Sequence, residues 1–176
     1  MKTKDQISSH FPEQIIFPEE LGKLCDWLDE NGYPINGSFE LRADEYEYIE
    51  SWFGFDRFVN NFGIFGADPD GSLFAIWKQS SGEEVIVYLN SEGCGNKILA
   101  SSPLDFIKIL SIGYDEIGFD DLSEPPSDED LINPKFQEWA KSTFKISIPK
   151  TGSEINPKWD DNSFNLWIDE QIEKFG

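Results

Sequence analysis

Histidine, cysteine and basic side chains are all scarce in this sequence. Its 176 residues include one histidine, His10, two cysteines, Cys25 and Cys94, and 14 Lys and Arg against 34 Asp and Glu, a formal net charge of −20. A single histidine excludes most catalytic triads and most transition-metal sites, because both depend on imidazole groups held by partner residues. No histidine lies near Cys94 in sequence to generate a thiolate, so we interpret Cys94 as an ordinary residue of a glycine-rich turn.

Long apolar runs are also missing. No stretch approaches the core of a signal peptide or the length of a membrane span, and the N-terminus is charged and polar. The two cysteines lie far apart, and Cys25 falls inside an apolar helical pattern that suits a buried thiol, so we predict no disulfide framework. These features predict a cytoplasmic protein without a membrane partner.

The shortage of positive charge limits the choice of partner. Nucleic-acid-binding proteins gain most of their affinity from Lys and Arg that displace counterions, and a net charge of −20 repels phosphate. Anionic membrane surfaces are disfavoured for the same reason. The excess of carboxylates is larger than solubility requires, and it favours a basic protein as the partner.

The sequence does contain enough apolar material for one domain. Hydrophobic residues make up 39% of the chain and aromatic residues 15%, which suffices for a sizeable core. We predict a single domain over residues 1–176, with a variable, irregular N-terminal arm at 1–17 and a C-terminal helical extension at 131–176.

Periodicity predicts helices on both sides of a block of strands. A helix with Pro18 in its first turn precedes a short strand at 39–42 and a second helix. Ser102 and Pro103 start a central helix that runs to about residue 114. Between these helices, short runs separated by turn residues predict a β-meander at 62–65, 73–77, 85–89 and 97–100. The predicted fold class is α+β, with a central, mostly antiparallel sheet of about four to six strands packed by helices.

Residues 115–130, here termed the acidic segment, contain two prolines and no Lys or Arg. We predict a loop or a partly mobile segment. A charge run of this kind could form a contact surface, but most charge runs are simply solvated. We therefore give a solvated loop and a contact surface equal weight. The eight carboxylates are those of Asp115, Glu116, Asp120, Asp121, Glu124, Asp128, Glu129 and Asp130.

Residues 68–72, with the sequence DPDGS, resemble the start of a calcium-binding loop. The third acidic ligand and the distal glutamate of that loop are missing. A hairpin turn explains these residues better, because Asp68 and Pro69 start a turn and Gly71 allows the left-handed conformation that closes it. We therefore predict no metal site and no cofactor.

The order of several motifs resembles the SUKH superfamily, the group built around the fungal Smi/Knr cell-wall regulator and many bacterial immunity proteins. The most specific match is FGIFG at 62–66 followed by PDGSLFAIW at 69–77, which is similar to the hairpin of that superfamily. The resemblance covers residues 17–118 and extends loosely over the tail that contains Phe136 and Trp139. The further matches are FPEEL at 17–21, ENG at 30–32, GSFEL at 37–41, WFG at 52–54, VIVYLNSEG at 85–93, DFIKIL at 105–110 and GY at 113–114.

This resemblance implies a SUKH-like (Smi/Knr-like) domain with a non-enzymatic role. In bacteria it implies immunity against secreted polymorphic toxins, often nucleases, that are delivered between neighbouring cells. The superfamily supplies no catalytic residues that could be transferred to this chain. The acidic segment and the C-terminal helices depart from its shortest members, which leaves open whether they belong to the binding face.

We therefore expect an immunity protein that neutralises a basic protein toxin, such as a nuclease, through its acidic surface. Carboxylates would speed the encounter and a few desolvated aromatic anchors would supply affinity. The candidate partner-binding residues are Asp115, Glu116, Asp120 and Asp121 for steering, with Trp52, Phe55 and Tyr114 as anchors.

Two alternative functions remain open at this point. The first is an intracellular regulatory adaptor or scaffold protein, as in the fungal relative. The second is an acidic hydrolase, which would need a deep cleft with two facing carboxyl groups and one raised pKa. Pairs of carboxylates are uninformative by themselves in a chain with 34 acidic residues. The oligomeric state is not predicted.

Overall fold

The computed structural model describes residues 1–43, 46–53, 60–155 and 161–175. Within these ranges, six α-helices surround a five-stranded sheet. The helices are α1 (Thr3–Ser8), α2 (Glu19–Asn31), α3 (Tyr46–Phe53), α4 (Pro103–Ile112), α5 (Pro134–Phe144) and α6 (Ser163–Phe175). The strands are β1 (Glu40–Leu41), β2 (Phe62–Ala67), β3 (Leu73–Lys78), β4 (Glu84–Leu89) and β5 (Lys97–Ala100). Short 3₁₀ helices occupy Glu129–Leu131 and Gly152–Glu154.

The sheet is an antiparallel meander in the order β1-β2-β3-β4-β5. Successive strands are neighbours because short turns join β2 to β3, β3 to β4 and β4 to β5. In the first of these turns Gly71 has a φ of 86° and donates its N–H to the carbonyl of Asp68. The prediction of a hairpin turn at 68–72 is confirmed, and so is the predicted α+β class with a central antiparallel sheet.

Both faces of the sheet are covered, which explains why its strands are apolar on both sides instead of alternating with polar residues. On one face Phe74 and Tyr88 pack with α2, α4 and α5. On the other face Trp77 packs with α3 and α6. Burial of the strand residues is therefore nearly continuous. The two faces form two apolar clusters with the sheet between them.

Helix α4 is the central core helix, as predicted. The hydroxyl of Ser102 accepts the N–H of Asp105 at its start, and Pro103 stands at the first helical position. Gly113, with a φ of 96°, ends the helix after Ile112, slightly earlier than the predicted end. An abrupt stop here directs the chain out of the core and into the acidic segment.

The N-terminal arm differs from its prediction. We predicted an irregular conformation for residues 1–17, but Thr3–Ser8 forms α1, which packs on α2. Only Ile7 of this helix is buried. One apolar anchor in six residues leaves too weak a periodic signal to identify a helix from sequence, because contact with α2 supplies the stabilisation.

The residues predicted as a C-terminal helical extension take part in the core. On α5 Phe136 is buried against the first apolar cluster, and on α6 Phe164 and Ile168 are buried in the second. Phe164 and Trp167 both lie in ring contact with Trp77 of β3. Helix α6 thus covers part of the sheet.

A buried asparagine joins the loop before β1 to the helices. The amide of Asn36 donates to the carbonyls of Leu110 and Ser111 at the end of α4, and its oxygen accepts the N–H of Asn133. Asn133 in turn caps α5. These bonds fix where α4 ends and α5 begins, and so fix both ends of the acidic segment between them.

None of the helices in the described part of the chain is both long and apolar enough to cross a lipid bilayer.

Candidate functional site

The acidic segment is held against the rest of the protein by the tyrosine that precedes it. The hydroxyl of Tyr114 donates to the carbonyl of Glu124 over 2.7 Å and accepts the N–H of Gly152 over 3.0 Å. Tyr114 itself is 1% exposed. The segment therefore bends back over a buried side chain and is connected to the 3₁₀ turn that starts at Gly152.

The start of the segment is also bonded to the loop before β1. The N–H of Ser38 donates to the carbonyl of Asp115 over 2.9 Å, and the Ser38 hydroxyl donates to the Asp115 carboxylate. Gly37 allows this approach, because its φ is 59° and a β-carbon there would lie 1.8 Å from the carbonyl oxygen of Tyr114. Only glycine fits at this contact.

Residues 116–120 form a compact turn with its own hydrogen bonds. The carbonyl of Glu116 accepts the N–H groups of Phe119 and Asp120 over 2.9 and 2.8 Å. The carboxylate of Asp120 accepts the N–H of Glu116 over 3.2 Å. In this turn Ile117 points into the core and is buried, whereas Phe119 points outwards. The predicted loop is therefore a folded turn in this part.

Phe119 is the residue that the sequence interpretation missed. Its side chain is 63% exposed although it is a large aromatic group, and the turn that carries it also carries Glu116, Asp120 and Asp121. Single exposed apolar side chains are common on proteins, so it is the combination with neighbouring carboxylates that makes Phe119 a candidate contact residue. The apolar run at 117–119 was the available signal, but the sequence does not show which of its members faces outwards.

The carboxylates of this turn strengthen one another's negative potential. Burial raises the pKa of Glu116, and the neighbouring charges of Asp115, Asp70 and Asp120 raise it further. Hydrogen bonds from Ser123 lower the pKa of the nearby Asp121. The carboxylates of the acidic segment form no ion pair with any described Lys or Arg. A cation brought to this surface would be attracted by several charges that are not already paired.

An unusual carboxyl group lies beneath the turn, at the β2–β3 hairpin. Asp68 is 5% exposed, and neither of its carboxyl oxygens has a hydrogen-bond partner of normal geometry. Burial raises its pKa from 3.8 to about 7; the nearby N–H of Gly118 opposes this shift, and the charges of Asp70, Glu116 and Asp120 add to it. The hairpin and the acidic segment are therefore electrostatically coupled.

Two side chains of β4 and β5 complete this region. Lys97 lies over the ring of Tyr88, with its Nζ 5.7 Å from the ring centroid. Burial lowers the pKa of Lys97, whereas the charges of Asp68, Asp120 and Asp121 raise it. Burial raises the pKa of the Tyr88 hydroxyl and a contact with Ser72 opposes this shift, but the hydroxyl has no hydrogen-bond partner of normal geometry.

The structure brings together some of the predicted site residues and separates others. Asp115, Glu116, Asp120 and Asp121 lie in one folded stretch, as their order in sequence requires. Tyr114 is buried, so in this conformation it supports the segment from within and does not face a partner. The half-buried Trp52 packs with the apolar cluster on the other face of the sheet. Phe55 lies outside the described residues.

Two of the cavities in the described part of the chain lie beside Asp68 and Lys97. A cleft of about 600 Å³ at the β2–β3 hairpin has Glu40, Arg42, Trp52, Asp68 and Asp70 among its lining residues. A smaller one of about 200 Å³ is lined by the segment and β5, with Asp120, Asp121, Leu122, Lys97 and Ser153 among its lining residues.

The carboxyl group of raised pKa does not by itself make a hydrolytic site. The oxygens of Asp68 have almost no solvent-accessible surface, although this residue is among those that line the larger cleft. In that cleft Glu40 is paired with Arg42. Acid–base catalysis requires a carboxyl group within hydrogen-bond reach of the substrate. Among the described residues, no group of three or more His, Cys, Asp and Glu side chains is placed to hold a metal ion.

Comparison with known proteins adds no family to this description. No protein-family model matches the sequence, and no curated protein and no solved structure matches the chain. The SUKH resemblance therefore stays a prediction that rests on the motifs named above.

Proposed function

We propose that this protein is a non-enzymatic binding protein, an immunity-type inhibitor in the cytoplasm that neutralises a basic protein toxin. The observation that carries the proposal is the placement of the exposed Phe119 on a folded turn among unpaired carboxylates. Surfaces that bind proteins tightly combine a central aromatic anchor with a charged surround. This turn offers both within five residues.

The charge supports fast and selective encounter. With a net charge of −20, the chain attracts a basic surface over distances comparable to the Debye length, which is about 8 Å at physiological ionic strength. The carboxylates of Glu116 and Asp120 would stand where the phosphates of a nucleic-acid substrate otherwise bind, so a nuclease toxin would have its substrate cleft blocked. The SUKH resemblance points to the same class of partner.

The fixed geometry of the turn supports affinity. Hydrogen bonds from Tyr114 and within residues 116–120 hold the anchor and the charges in place before binding. Preorganisation of this kind reduces the conformational entropy that binding would otherwise cost. The toxin would bury the ring of Phe119 and pair with the surrounding carboxylates.

Where the adjacent gene encodes a toxin, the test uses that toxin in a catalytically inactive form. Phe119→Ala should raise the dissociation rate at least about tenfold, because removal of an anchor costs roughly 1.4 kcal/mol or more. The matched control is Leu166→Ala, which removes another exposed apolar side chain, on α6. Equal dissociation rates for wild type and Phe119→Ala would contradict the proposed anchor.

A second pair of variants tests the charges. Glu116→Lys should slow association at low salt much more than at high salt, because screening removes steering. Glu30→Lys, on the exposed end of α2, makes the same charge change away from the turn and should have the smaller effect. Association that is indifferent to ionic strength would count against steering by the acidic surface.

The regulatory adaptor is the alternative, and the gene neighbourhood distinguishes the two functions. A neighbouring gene for a toxin with a secretion or pre-toxin region favours immunity. An isolated gene, with a regulatory complex as the captured partner, favours the adaptor.

A further inference from the structure

The carboxyl group of Asp68 is enclosed at the contact between the β2–β3 hairpin and the acidic segment. Both of its oxygens are buried without a hydrogen-bond partner of normal geometry, although an ionised carboxylate accepts several hydrogen bonds in water. Gly118 closes this contact from the segment side, since a β-carbon there would lie 2.1 Å from the ring of Tyr88. No space remains at this contact for a larger residue.

We infer that the enclosed carboxyl group of Asp68 is a protonation switch for the seating of residues 115–121, which pack tightly over a protonated Asp68 and loosen when it ionises. This switch is a property of the free protein. It operates whether or not the segment binds a toxin, and it adds a regulatory property to the acidic surface.

The groups that face Asp68 come from every element packed against it. The hairpin contributes Asp70, β4 contributes Tyr88, and β5 contributes Lys97. The acidic segment contributes Glu116 and Asp120 and the backbone N–H of Gly118. Glu40 and Arg42, which are paired with each other, line the same cleft as Asp68. Among the groups that interact electrostatically with Asp68, carboxylates outnumber the one base, Lys97.

The balance of these groups opposes ionisation. A carboxylate removed from water is costly, the N–H of Gly118 offsets only part of that cost, and three neighbouring carboxylates add repulsion. Lys97 offsets part of this cost, but it forms no ion pair within 4.0 Å with Asp68. Burial of the Lys97 ammonium also weakens its own charged form.

Movement of the segment relieves the strain of ionisation. If residues 115–121 withdraw, water reaches the carboxylate of Asp68 and the distance to Glu116 and Asp120 increases. Protonated Asp68 carries no charge, so the segment can stay packed over it. The segment should therefore be more firmly seated at pH 6 than at pH 8, because the pKa of Asp68 lies at about 7.

Amide hydrogen exchange on the full chain without any partner tests this inference. The reporters are the N–H groups of Phe119 and Asp120, which bond to the carbonyl of Glu116. Their protection factors, corrected for intrinsic exchange, should fall by about tenfold between pH 6 and pH 8. A tenfold change corresponds to one pKa unit of linkage between opening of the segment and ionisation of Asp68. Amides of β3 should keep their protection, which shows that the change is local.

Asp68→Asn is the decisive variant, because it keeps the size of the side chain and removes its ionisation. Its protection factors at 119 and 120 should be the same at both pH values. Glu92→Gln removes one carboxylate from the exposed β4–β5 turn and should retain the wild-type fall. An equal fall in Asp68→Asn would overturn the inference, as would unchanged protection in the wild type.

Direct titration keeps the test valid if Asp68→Asn does not fold. The carboxyl carbon of Asp68 in the unmodified protein can be followed by NMR. A midpoint near 7 is expected, whereas a midpoint near 4 would overturn the inference. Loss of toxin binding in the Phe119→Ala experiment bears on the proposed function alone, so the two can fail separately.

Discussion

Gly118 packs directly against the ring of Tyr88, so closely that a β-carbon at position 118 would lie 2.1 Å from two ring carbons. Tyr88 belongs to β4 and is buried in the first apolar cluster. This contact seats the acidic segment on the sheet. It is a relationship between residues 30 positions apart that no local sequence pattern contains.

Gly118→Ala should therefore displace the segment and lower the free energy of unfolding by roughly 1–3 kcal/mol, the usual cost of overpacking. Chemical denaturation measures this change. Gly22→Ala on α2 is the control: its β-carbon would meet only the flexible end of the Lys4 side chain, and alanine favours the helix. Gly118→Ala as stable as the wild type would show that the contact is not tight.

Two tyrosine hydroxyls should behave in opposite ways. Tyr114→Phe removes the partner of the Glu124 carbonyl and the Gly152 N–H, so stability should fall by about 1–2 kcal/mol. Tyr88→Phe removes a buried hydroxyl that has no hydrogen-bond partner of normal geometry and only a contact with Ser72 outside that geometry, so stability should be unchanged or slightly higher. Denaturant midpoints distinguish them. A larger loss in Tyr88→Phe would contradict the hydrogen-bond assignment.

The stability of the protein should depend on pH through Asp68. Its pKa is about 7 when folded, against 3.8 as the ordinary value, so the folded state binds the proton more tightly. This contribution to the free energy of unfolding is fully present below about pH 4 and is lost as the pH rises through 7. Its upper limit is about 1.4 kcal/mol for each unit by which the pKa is raised. Denaturant unfolding at a series of pH values measures it.

Asp68→Asn should remove this slope between pH 4 and pH 7, and it should be more stable than the wild type above pH 7. Glu92→Gln, an exposed carboxylate on a turn, should keep the wild-type slope. Parallel pH profiles for the wild type and Asp68→Asn would show that another group is responsible.

The two cysteines should differ in reactivity. Cys94 is exposed, whereas Cys25 is buried in α2, where burial and the charges of Asp29 and Asp26 raise its pKa to about 12. At neutral pH a thiol reagent should therefore modify one thiol per folded chain and two per unfolded chain. Cys94→Ser should abolish the reaction in the folded state. Rapid modification of both thiols would mean that α2 opens readily.

The meander shows how far local patterns predict this fold. Turn residues at 68–72 and short apolar runs on either side predict β2 and β3 with almost the observed limits. The same patterns locate α4, because Ser102 and Pro103 are strong start signals. Helix α1 could not be predicted in this way, since only Ile7 is buried and the support comes from α2.

The candidate site likewise contains residues that the sequence predicts and residues that it does not. Asp115, Glu116, Asp120 and Asp121 were predicted from composition, and their closeness follows from their positions in the chain. Tyr114 was predicted as an anchor but is buried, and Phe119 was missed but is exposed. Both residues are aromatic and neighbours of acids, so sequence alone treats them alike.

The sequence by itself determined the excess of carboxylates, the α+β class and the order of the strands, because charge, periodicity and turn chemistry are local properties. Only the tertiary structure decided that Phe119 faces outwards, that Tyr114 supports the acidic segment, and that Asp68 lies enclosed beneath it. These three features depend on contacts between residues that are distant in sequence, because such contacts set the burial, the hydrogen bonding and the pKa of each side chain.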